Sequence, residues 1–539
     1  MDFTEIYKQT GQLVSFSPGA HFLLTAIQDR LVVRRADSFQ ITRSWQLDPS
    51  LSATASTIAQ PANKTSAQSR FTTSRRPLAR TLAPSDGSSS GTTGCPVDRD
   101  SWITHAGWSC DSEYILAACA RKGIVDVFKM RDEEWRARIE AGAEGLVKAE
   151  WAPDGRSIIC WSEWALRVTV WSLVTGSPTY IQYPAHPDRG YAFRSDGHYL
   201  VLAERHKCKD SIGVYDATAT YRMVRHFPLP TALFSALSLS PTGNHVAVWE
   251  GPLEHKVYVL SLAGELLGTF APEKDPGFGI RAVAWHPAGI FLAVLGWDDK
   301  VHVLENLTWG PIATFELHSR IPAGTTIWRE PSDWIETTGG RGFLSYERVQ
   351  APHTLTLISH DRTKPPPGLS TASRPSTSEH LAWNVDGTTL MVRYGGAPEA
   401  VWLYNFPSFA RPSGDKAGEP TPTPVLKPKL RSVLLHASAV TSVRWNPVRK
   451  GSLACATGGG AVYLWSDEWE STSAEGGASD GTTGGVAEEV AECVGVPARK
   501  FAAHTLRWAP DGRGLVLMDR ETFCCAFEVE EGEDTPVPG

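Results

Sequence analysis

The chain repeats one pattern of apolar and polar positions nine times. Each copy begins with an aromatic or apolar anchor, continues into a short polar turn, and ends in an apolar segment. The anchors are Phe16, Trp108, Trp151, Phe193, Leu239, Trp285, Trp383, Trp445 and Trp508. The clearest turns, at 151–155 and 508–512, both read Trp-Ala-Pro-Asp-Gly. Apolar residues then recur with period two, as in 168–171 and 301–304, so the pattern predicts β-strands.

The spacing of the anchors predicts a β-propeller. From Trp108 to Trp285 the successive intervals are 43, 42, 46 and 46 residues, close to the roughly 40–45 residues of a WD-type blade. One such sheet alone would leave an apolar face in water, whereas sheets stacked radially bury both faces and keep only short edges. We therefore predict an all-β, WD40-type β-propeller, a single closed ring of about nine blades. The alternative is two smaller or incomplete propellers.

Longer intervals between anchors indicate insertions. The predicted order is blade 1 with an N-terminal clasp strand (1–48), a disordered, basic, Ser/Thr/Pro-rich insertion (49–100), blades 2 to 6 (101–316), a degenerate blade or decorated connection (317–379), blades 7 and 8 (380–467) with a Pro-rich loop at 407–428, a Gly/Ser-rich loop (468–486), the last blade (487–530) and an acidic tail (531–539). Joining the two ends of a ring requires a clasp. We expect residues 2–8 to pair with residues near 522–530.

Bulk composition narrows the class of protein. A hydrophobic content of 42% and 20 Trp are enough to fill the layers between blades. The net charge of −7 gives no general reason to expect nucleic acid, because phosphate binding needs concentrated Lys and Arg. No signal-peptide pattern or apolar run of about 18 residues is visible. The nine Cys form no C-x-x-C pair. We expect an intracellular protein that does not bind membranes.

Motifs for chemistry are missing or out of context. Residues 87–91 match G-x-S-x-G but lie in the predicted insertion, without the strand and helix that form a nucleophile elbow. Residues 458–460 are three Gly between strands, which predicts a turn and not a phosphate loop. The 16 His show no metal-ligand spacing. We predict no catalytic residue, no metal ligand, no cofactor and no small-molecule substrate, and therefore no enzyme.

The loops that join the second and third strands of each blade gather on one rim of a propeller. They place two Trp and a group of cations on one face. Trp and Arg dominate interface hot spots, so we predict partner binding by Trp164, Arg205, Lys207, Lys209 and Trp297. The alternative is that both Trp pack between blades and both Lys are solvated.

Several segments go beyond a general WD pattern. They are residues 30–34, 166–173, 202–205 with 208–210, 246–249 with 256–260, 279–285 and 400–402. In these segments the chain resembles the WRAP-type centrosomal and spindle-pole WD-repeat proteins, whose animal member is encoded antisense to a tumour-suppressor paralogue. The stretch 202–210, Ala-Glu-Arg followed by Cys-Lys-Asp, is the most specific, because no blade needs it for folding. The resemblance runs from Met1 to about Glu530 and spares only the insertions.

This resemblance implies a non-enzymatic protein-interaction scaffold of the cytoplasm and cytoskeleton, at the centrosome or spindle pole. It implies binding to a coiled-coil centrosomal anchoring protein and, in some lineages, to a minus-end-directed kinesin. The implied role is to tether microtubule minus ends and to organise the mitotic spindle. The alternative function is an RNA- or translation-associated β-propeller adaptor, which a concentrated basic stripe on the ring would favour.

Overall fold

The regular secondary structure of the described residues is almost entirely β-strand. The computed structural model describes residues 1–47, 70–75, 99–251, 253–273, 279–334, 338, 342–358, 380–406, 428–469, 488–498 and 500–528. Short 3-10 helices lie at Arg99–Ser101, Ala120–Lys122, Gly142–Glu144 and Glu163–Ala165. Nine antiparallel blade sheets are present in the described residues. The predicted class, an all-β WD40-type β-propeller of about nine blades, is confirmed. The chain divides into two compact units.

One unit comprises Tyr7–Leu229 with Arg520–Thr522 and contains blades 1 to 4. At the N-terminus, β1 is Asp2–Phe3 and β2 is Tyr7–Lys8. Blade 1 has β3 (Val14–Phe16), β4 (Phe22–Ile27), β5 (Arg30–Arg35) and β6 (Ile41–Gln46); blade 2 has β7 (Arg70–Arg75), β8 (His105–Trp108), β9 (Tyr114–Cys119), β10 (Ile124–Lys129) and β11 (Trp135–Glu140). Blade 3 has β12 (Lys148–Trp151), β13 (Ser157–Trp161), β14 (Arg167–Ser172) and β15 (Pro178–Gln182); blade 4 has β16 (Tyr191–Phe193), β17 (Tyr199–His206), β18 (Lys209–Asp216) and β19 (Arg222–Pro228).

The other unit comprises Met1–Ile6, Pro230–Asp519 and Phe523–Gly539 and contains blades 5 to 9. Blade 5 has β20 (Phe234–Leu239), β21 (His245–Glu250), β22 (Val257–Ser261) and β23 (Leu266–Phe270); blade 6 has β24 (Ile280–Trp285), β25 (Phe291–Gly296), β26 (Lys300–Glu305) and β27 (Pro311–Glu316). A connection follows with β28 (Arg320–Ile321), β29 (Thr326–Arg329), β30 (Phe343–Ser345), β31 (Glu347–Val349) and β32 (His353–Thr354). Blade 7 has β33 (Leu381–Trp383), β34 (Thr389–Val392), β35 (Ala400–Asn405) and β36 (Lys429–Leu435); blade 8 has β37 (Ser442–Trp445), β38 (Ser452–Ala456), β39 (Ala461–Trp469) and β40 (Glu488–Gly495). Blade 9 has β41 (Thr505–Trp508), β42 (Gly514–Met518) and β43 (Thr522–Phe527).

Every predicted anchor is the last residue of the first of the blade's own strands, which in blade 2 is β8, because β7 is an added outer strand. The turn that follows has a clear physical basis in blade 3. The Asp154 carboxylate accepts the backbone N–H groups of Arg156 and Ser157, both at 2.9 Å. Gly155 has φ +62°, a conformation that glycine adopts without a steric penalty. The Pro-Asp-Gly sequence therefore forms the turn by local chemistry.

The segment 317–379 is a decorated connection in its described part, and not a tenth blade. Strand β29 pairs in parallel with β36 of blade 7, and β31 pairs with β29 on its other side. Strand β30 pairs antiparallel with β40 of blade 8. The connection therefore adds strands to the outer edges of two blades.

The predicted insertion at 49–100 also contributes a strand. Residues 70–75 form β7, which pairs antiparallel with β11 along the outer edge of blade 2. The prediction of a disordered segment is wrong for these residues, because a run that contains Phe71, Thr72 and Thr73 can pair along an edge that only the folded blade supplies. Positions 48–69 and 76–98 lie outside the described residues.

The predicted clasp between the chain ends is present. Strand β1 pairs antiparallel with β43, with Asp2 opposite Phe527 and Phe3 opposite Ala526. Between these strands the Thr4 N–H donates to the Cys525 carbonyl at 2.9 Å, and the Cys525 N–H donates to the Thr4 hydroxyl at 2.9 Å. Strand β2 pairs with β43 as well. The last blade therefore obtains its fourth strand from the N-terminus.

One predicted boundary differs from the structure. The predicted last blade begins at 487 and would therefore include β40. In the structure β40 pairs with β39 as the outer strand of blade 8. Its partner lies on the far side of the Gly/Ser-rich loop, so the sequence interval alone could not assign it. Most of the Pro-rich loop (407–427), most of the Gly/Ser-rich loop (470–487) and the acidic tail (531–539) lie outside the described residues.

Candidate interaction surface

Trp164 occupies the loop between the second and third strands of blade 3. The loop is closed by Ser162, whose hydroxyl accepts the Arg167 N–H at 2.9 Å and donates to the Arg167 carbonyl at 2.8 Å. Trp164 has φ 60° and ψ 18°, a left-handed conformation that is unfavourable for a bulky residue. Its side chain is 88% exposed. A strained backbone that presents an unpacked indole to solvent is typical of a functional position.

Tyr183 connects this loop to blade 4. Its N–H donates to the Leu166 carbonyl at 3.0 Å, and its own carbonyl accepts the Arg205 N–H at 2.8 Å. The Tyr183 ring stacks on His206, with centroids 4.6 Å apart and an interplanar angle of 13°. Leu166 is 48% and Tyr183 is 43% exposed. Sequence analysis missed both residues, although Tyr183 directly follows a strand and precedes Pro184, the start of a loop.

The cations of blade 4 lie on a tight hairpin. Strands β17 and β18 are joined by Lys207 and Cys208, which have φ values of 50° and 61°. Positive φ at both central residues defines the type I′ turn that suits a two-residue hairpin. Lys207 and Lys209 are exposed. This turn therefore holds both ammonium groups at the end of the blade.

Arg205 has a structural partner inside the same hairpin. Its guanidinium donates to both carboxylate oxygens of Asp210, at 2.8 and 3.3 Å. The Asp210 side chain is 1% exposed, and such a bidentate pair fixes geometry as well as charge. Arg205 therefore braces the hairpin that carries the two lysines.

We call Trp164, Leu166, Tyr183, His206 and Lys207 the blade 3–4 patch. Four of the five predicted partner residues, Trp164, Arg205, Lys207 and Lys209, lie in or beside it. A continuous exposed apolar surface marks an interaction site more often than a single exposed residue does, and here Tyr183 is bonded to the Leu166 backbone and stacks on His206. The patch combines a large aromatic surface with cations, which suits a partner that is partly apolar and partly acidic.

Trp297 belongs to the unit of blades 5 to 9 and has different surroundings. It is 42% exposed, and the Arg281 guanidinium lies 5.2 Å from the centroid of its ring. Burial lowers the pKa of Arg281, an effect that the nearby Asp299 carboxylate opposes. The Trp297 side chain is therefore partly packed against Arg281, as the alternative interpretation expected, and partly exposed to solvent. Its role in partner binding stays a prediction.

Asp299 connects blade 6 to blade 7. Its carboxylate oxygens accept the N–H groups of Gly395 and Gly396 at 2.8 and 2.9 Å. The same carboxylate lies 3.8 Å from the Arg281 guanidinium. The residues around Trp297 therefore form a rigid, hydrogen-bonded support.

A cavity of about 530 Å³ lies in the unit of blades 5 to 9. Its lining includes three anchors, Trp285, Trp383 and Trp445, together with Pro287 and Pro447. No titratable side chain is among the residues that line it in the described part of the chain. The described lining of the cavity is mostly apolar and contains no acidic, basic or nucleophilic side chain.

Two further properties concern only the described residues. No group of three or more His, Cys, Asp or Glu is arranged there to hold a metal ion. No helix among them is long and apolar enough to cross a membrane.

Comparison with known proteins gives matches along most of the chain. No protein-family model matches. The chain is 29% identical over 554 residues to the WD repeat-containing protein WRAP73 of Mus musculus, covering 98% of this chain and 97% of that protein. It is 21% identical over 458 residues to the uncharacterized WD repeat-containing protein C32H8.09 of Schizosaccharomyces pombe, covering 80% of this chain and 82% of that one. The chain is therefore a β-propeller by fold, and it is similar to WD-repeat proteins over most of its length. One of these relatives, WRAP73, is similar to this chain over nearly its whole length.

Solved structures match more distantly. The β-propeller domain of Cps50 (Swd1) from Myceliophteria thermophila aligns with 59% of this chain and 90% of that chain, at 13% identity and a TM-score of 0.32. KlHsv2 with a replaced loop aligns with 79% of this chain and 99% of that chain, at 11% identity and a TM-score of 0.37. Similarity at this level carries no argument about function.

Proposed function

We propose that this chain is a non-enzymatic scaffold at the centrosome or spindle pole. In this role it binds a coiled-coil anchoring protein, helps to tether microtubule minus ends and organises the mitotic spindle. A minus-end-directed kinesin is a second proposed partner. The location and the partners rest on the WRAP-type resemblance, which the full-length similarity to WRAP73 supports.

The observation that carries the scaffold function is the blade 3–4 patch. Trp164 is 88% exposed and its backbone is strained, and such strain costs stability. The adjacent Lys207 adds charge at the same end of the blades. We propose that Trp164, Arg205, Lys207 and Lys209 contact the anchoring protein, with Trp297 as a second contact.

Localisation with proximity labelling during mitosis tests the cellular role. The tagged chain should concentrate at spindle poles and label coiled-coil proteins of the pole. Labelling dominated by ribosomal or RNA-binding proteins would instead support the adaptor alternative and overturn the proposal.

Variants of the patch test the surface. Trp164→Ala combined with Lys207→Glu and Lys209→Glu should abolish capture of the labelled coiled-coil partner while thermal stability stays unchanged. Val174→Ala is a matched control, because Val174 is 76% exposed on a loop at the other end of blade 3. Unchanged capture by the triple variant, or equal loss in the control, would exclude this surface.

A further inference from the structure

The outer strand of blade 4 is unusually open to solvent. Strand β19 lies at the edge of its four-stranded sheet, next to β18 alone among the described strands. Its first five residues, 222–226, are all exposed, and Met223 and Val224 are 48% and 49% exposed. In the outer strands β6, β15, β23 and β27, by contrast, no more than two successive residues are exposed.

Other blades of the same chain accept a further strand at this position. Strand β7 pairs with β11 along six residues of blade 2. Strand β30 pairs with β40 of blade 8, and β29 pairs in parallel with β36 of blade 7. Addition of a strand to an open sheet edge is a known mode of peptide recognition, in which main-chain hydrogen bonds supply affinity. The outer edges of these blades therefore have the geometry for such addition.

The backbone of β19 offers hydrogen-bonding groups to an incoming strand. The Leu229 N–H donates to the Asp210 carbonyl at 2.9 Å. In antiparallel pairs, residues that exchange hydrogen bonds alternate with residues that do not. His226, three positions earlier in the same register, therefore directs its N–H and carbonyl away from β18.

The side chains of β19 select the charge of the partner. Arg222 and Arg225 flank the two exposed apolar residues, and His226 lies 3.4 Å from the Glu204 carboxylate. The acidic neighbour Asp216, opposite Arg222 in the register, already accepts bonds from Thr218. A second copy of β19 would bring a second Arg222 and Arg225 to the same edge, and like charges close together across a strand pair are destabilising. An acidic strand would instead form favourable cross-strand pairs.

We propose that β19 is a docking edge for an extended, acidic segment of a partner protein, which adds to blade 4 as a fifth strand with alternating acidic and apolar residues. Main-chain bonds at His226 hold the segment. Pairs with Arg222 and Arg225 choose its charge. Because β19 is not part of the blade 3–4 patch, this inference does not depend on the proposed function.

A labelled peptide of alternating Glu and Val, EVEVEVE, tests the proposal with the full chain. We expect saturable binding by fluorescence anisotropy and slower amide hydrogen exchange confined to residues 222–228. The lysine peptide KVKVKVK and the interrupted peptide EVEPEVE should not bind. No binding of EVEVEVE at about 1 mM, equal binding of the lysine peptide, or protection elsewhere would overturn the proposal.

Two sets of variants separate charge from backbone. Arg222→Glu with Arg225→Glu should weaken EVEVEVE binding about tenfold. His226→Pro removes an outward N–H and should abolish binding, whereas His226→Ala keeps that donor and should retain it. Equal affinity in the charge variant, or equal loss in both His226 variants, would contradict the proposal. Tighter binding of EVEVEVE after removal of residues 530–539 would show that the chain's own acidic tail occupies the β19 edge. That result would overturn the proposal that a partner protein binds there.

Discussion

The indole N–H of Trp508 donates to the backbone carbonyl of Arg444 at 3.1 Å. Arg444 directly precedes Trp445, the anchor of the preceding blade. The same relationship recurs for every other Trp anchor, from Trp108, Trp151, Trp285, Trp383 and Trp445 to the residue before the preceding anchor, at 3.0 to 3.3 Å. Each anchor Trp thus ends its own first strand and joins it to the neighbouring blade.

We expect Trp508→Phe to destabilise the protein without changing the fold. An aromatic ring is retained, but the bond from the indole N–H to the Arg444 carbonyl is lost, which costs about 1 to 2 kcal/mol in free energy of unfolding. Guanidinium denaturation should show a lower midpoint. Trp164→Phe is the matched control, since the indole of the exposed Trp164 donates to no carbonyl of another blade among the described residues, and its midpoint should equal that of the parent. Equal midpoints for both variants would contradict the role assigned to the anchors.

The N-terminal clasp should contribute to thermal stability. Deletion of residues 1–8 removes the pairing of β1 and β2 with β43 and exposes one edge of the last blade. A lower Tm and faster amide exchange in β43 are expected by differential scanning calorimetry and hydrogen exchange. Removal of residues 530–539 leaves every described strand intact and is the control. If both truncations melt like the full chain, the clasp does not stabilise the fold.

Glu330 should make a large contribution to stability by holding the connection that follows blade 6 against blades 7 and 8. This buried carboxylate accepts the Trp334 indole N–H at 2.9 Å, the Tyr463 hydroxyl at 2.7 Å and the Ala437 N–H at 2.8 Å. Glu330→Ala would leave these donors without that acceptor, at a cost of about 3 kcal/mol. Denaturation of Glu347→Ala is the comparison, because the Glu347 pair with Arg329 is half exposed and should contribute little. Similar losses in the two variants would argue against a special role for Glu330.

Acid should destabilise the protein partly through His436. Its ring is buried; the geometry has Nδ1 donating to the Glu399 carbonyl at 3.1 Å and Nε2 accepting from the Tyr346 hydroxyl at 2.8 Å. Burial lowers the pKa of His436 from 6.5 to about 4, so between these values the unfolded chain binds a proton that the folded chain does not. Its contribution is complete above pH 6.5 and is lost as pH falls towards 4, by about 3 kcal/mol.

Denaturation midpoints of the parent and His436→Gln between pH 7 and pH 4 measure this effect. Glutamine can keep both hydrogen bonds but does not titrate, so the variant should lose less stability on acidification. All other titratable groups are common to both proteins. Parallel curves would show that the pKa of His436 is the same in the folded and the unfolded chain. His436 would then contribute nothing to the pH dependence of stability.

Much of the fold could be predicted because the chemistry of each turn is local. The Pro-Asp-Gly turn at 153–155 and the nine anchors depend on neighbouring residues only, and they give the blade count directly. The pairing partners of four strands could not be predicted from local sequence. These strands are β7, β29, β30 and β40. Each pairs with a strand that is remote in sequence or separated from it by a long loop, and the apolar pattern of a short edge strand does not name its partner.

The candidate surface shows the same division. Sequence reasoning placed Trp164, Lys207 and Lys209 on exposed loops, because loops between the second and third strands share one end of the blades. It missed Tyr183 and Leu166, and it could not foresee that Arg205 binds Asp210. Alternation and spacing by themselves determined an all-β repeat protein, since period-two strands with apolar faces must stack to exclude water. Only the tertiary structure decided which side chains remain exposed, because burial depends on the neighbouring blade and not on the residue itself.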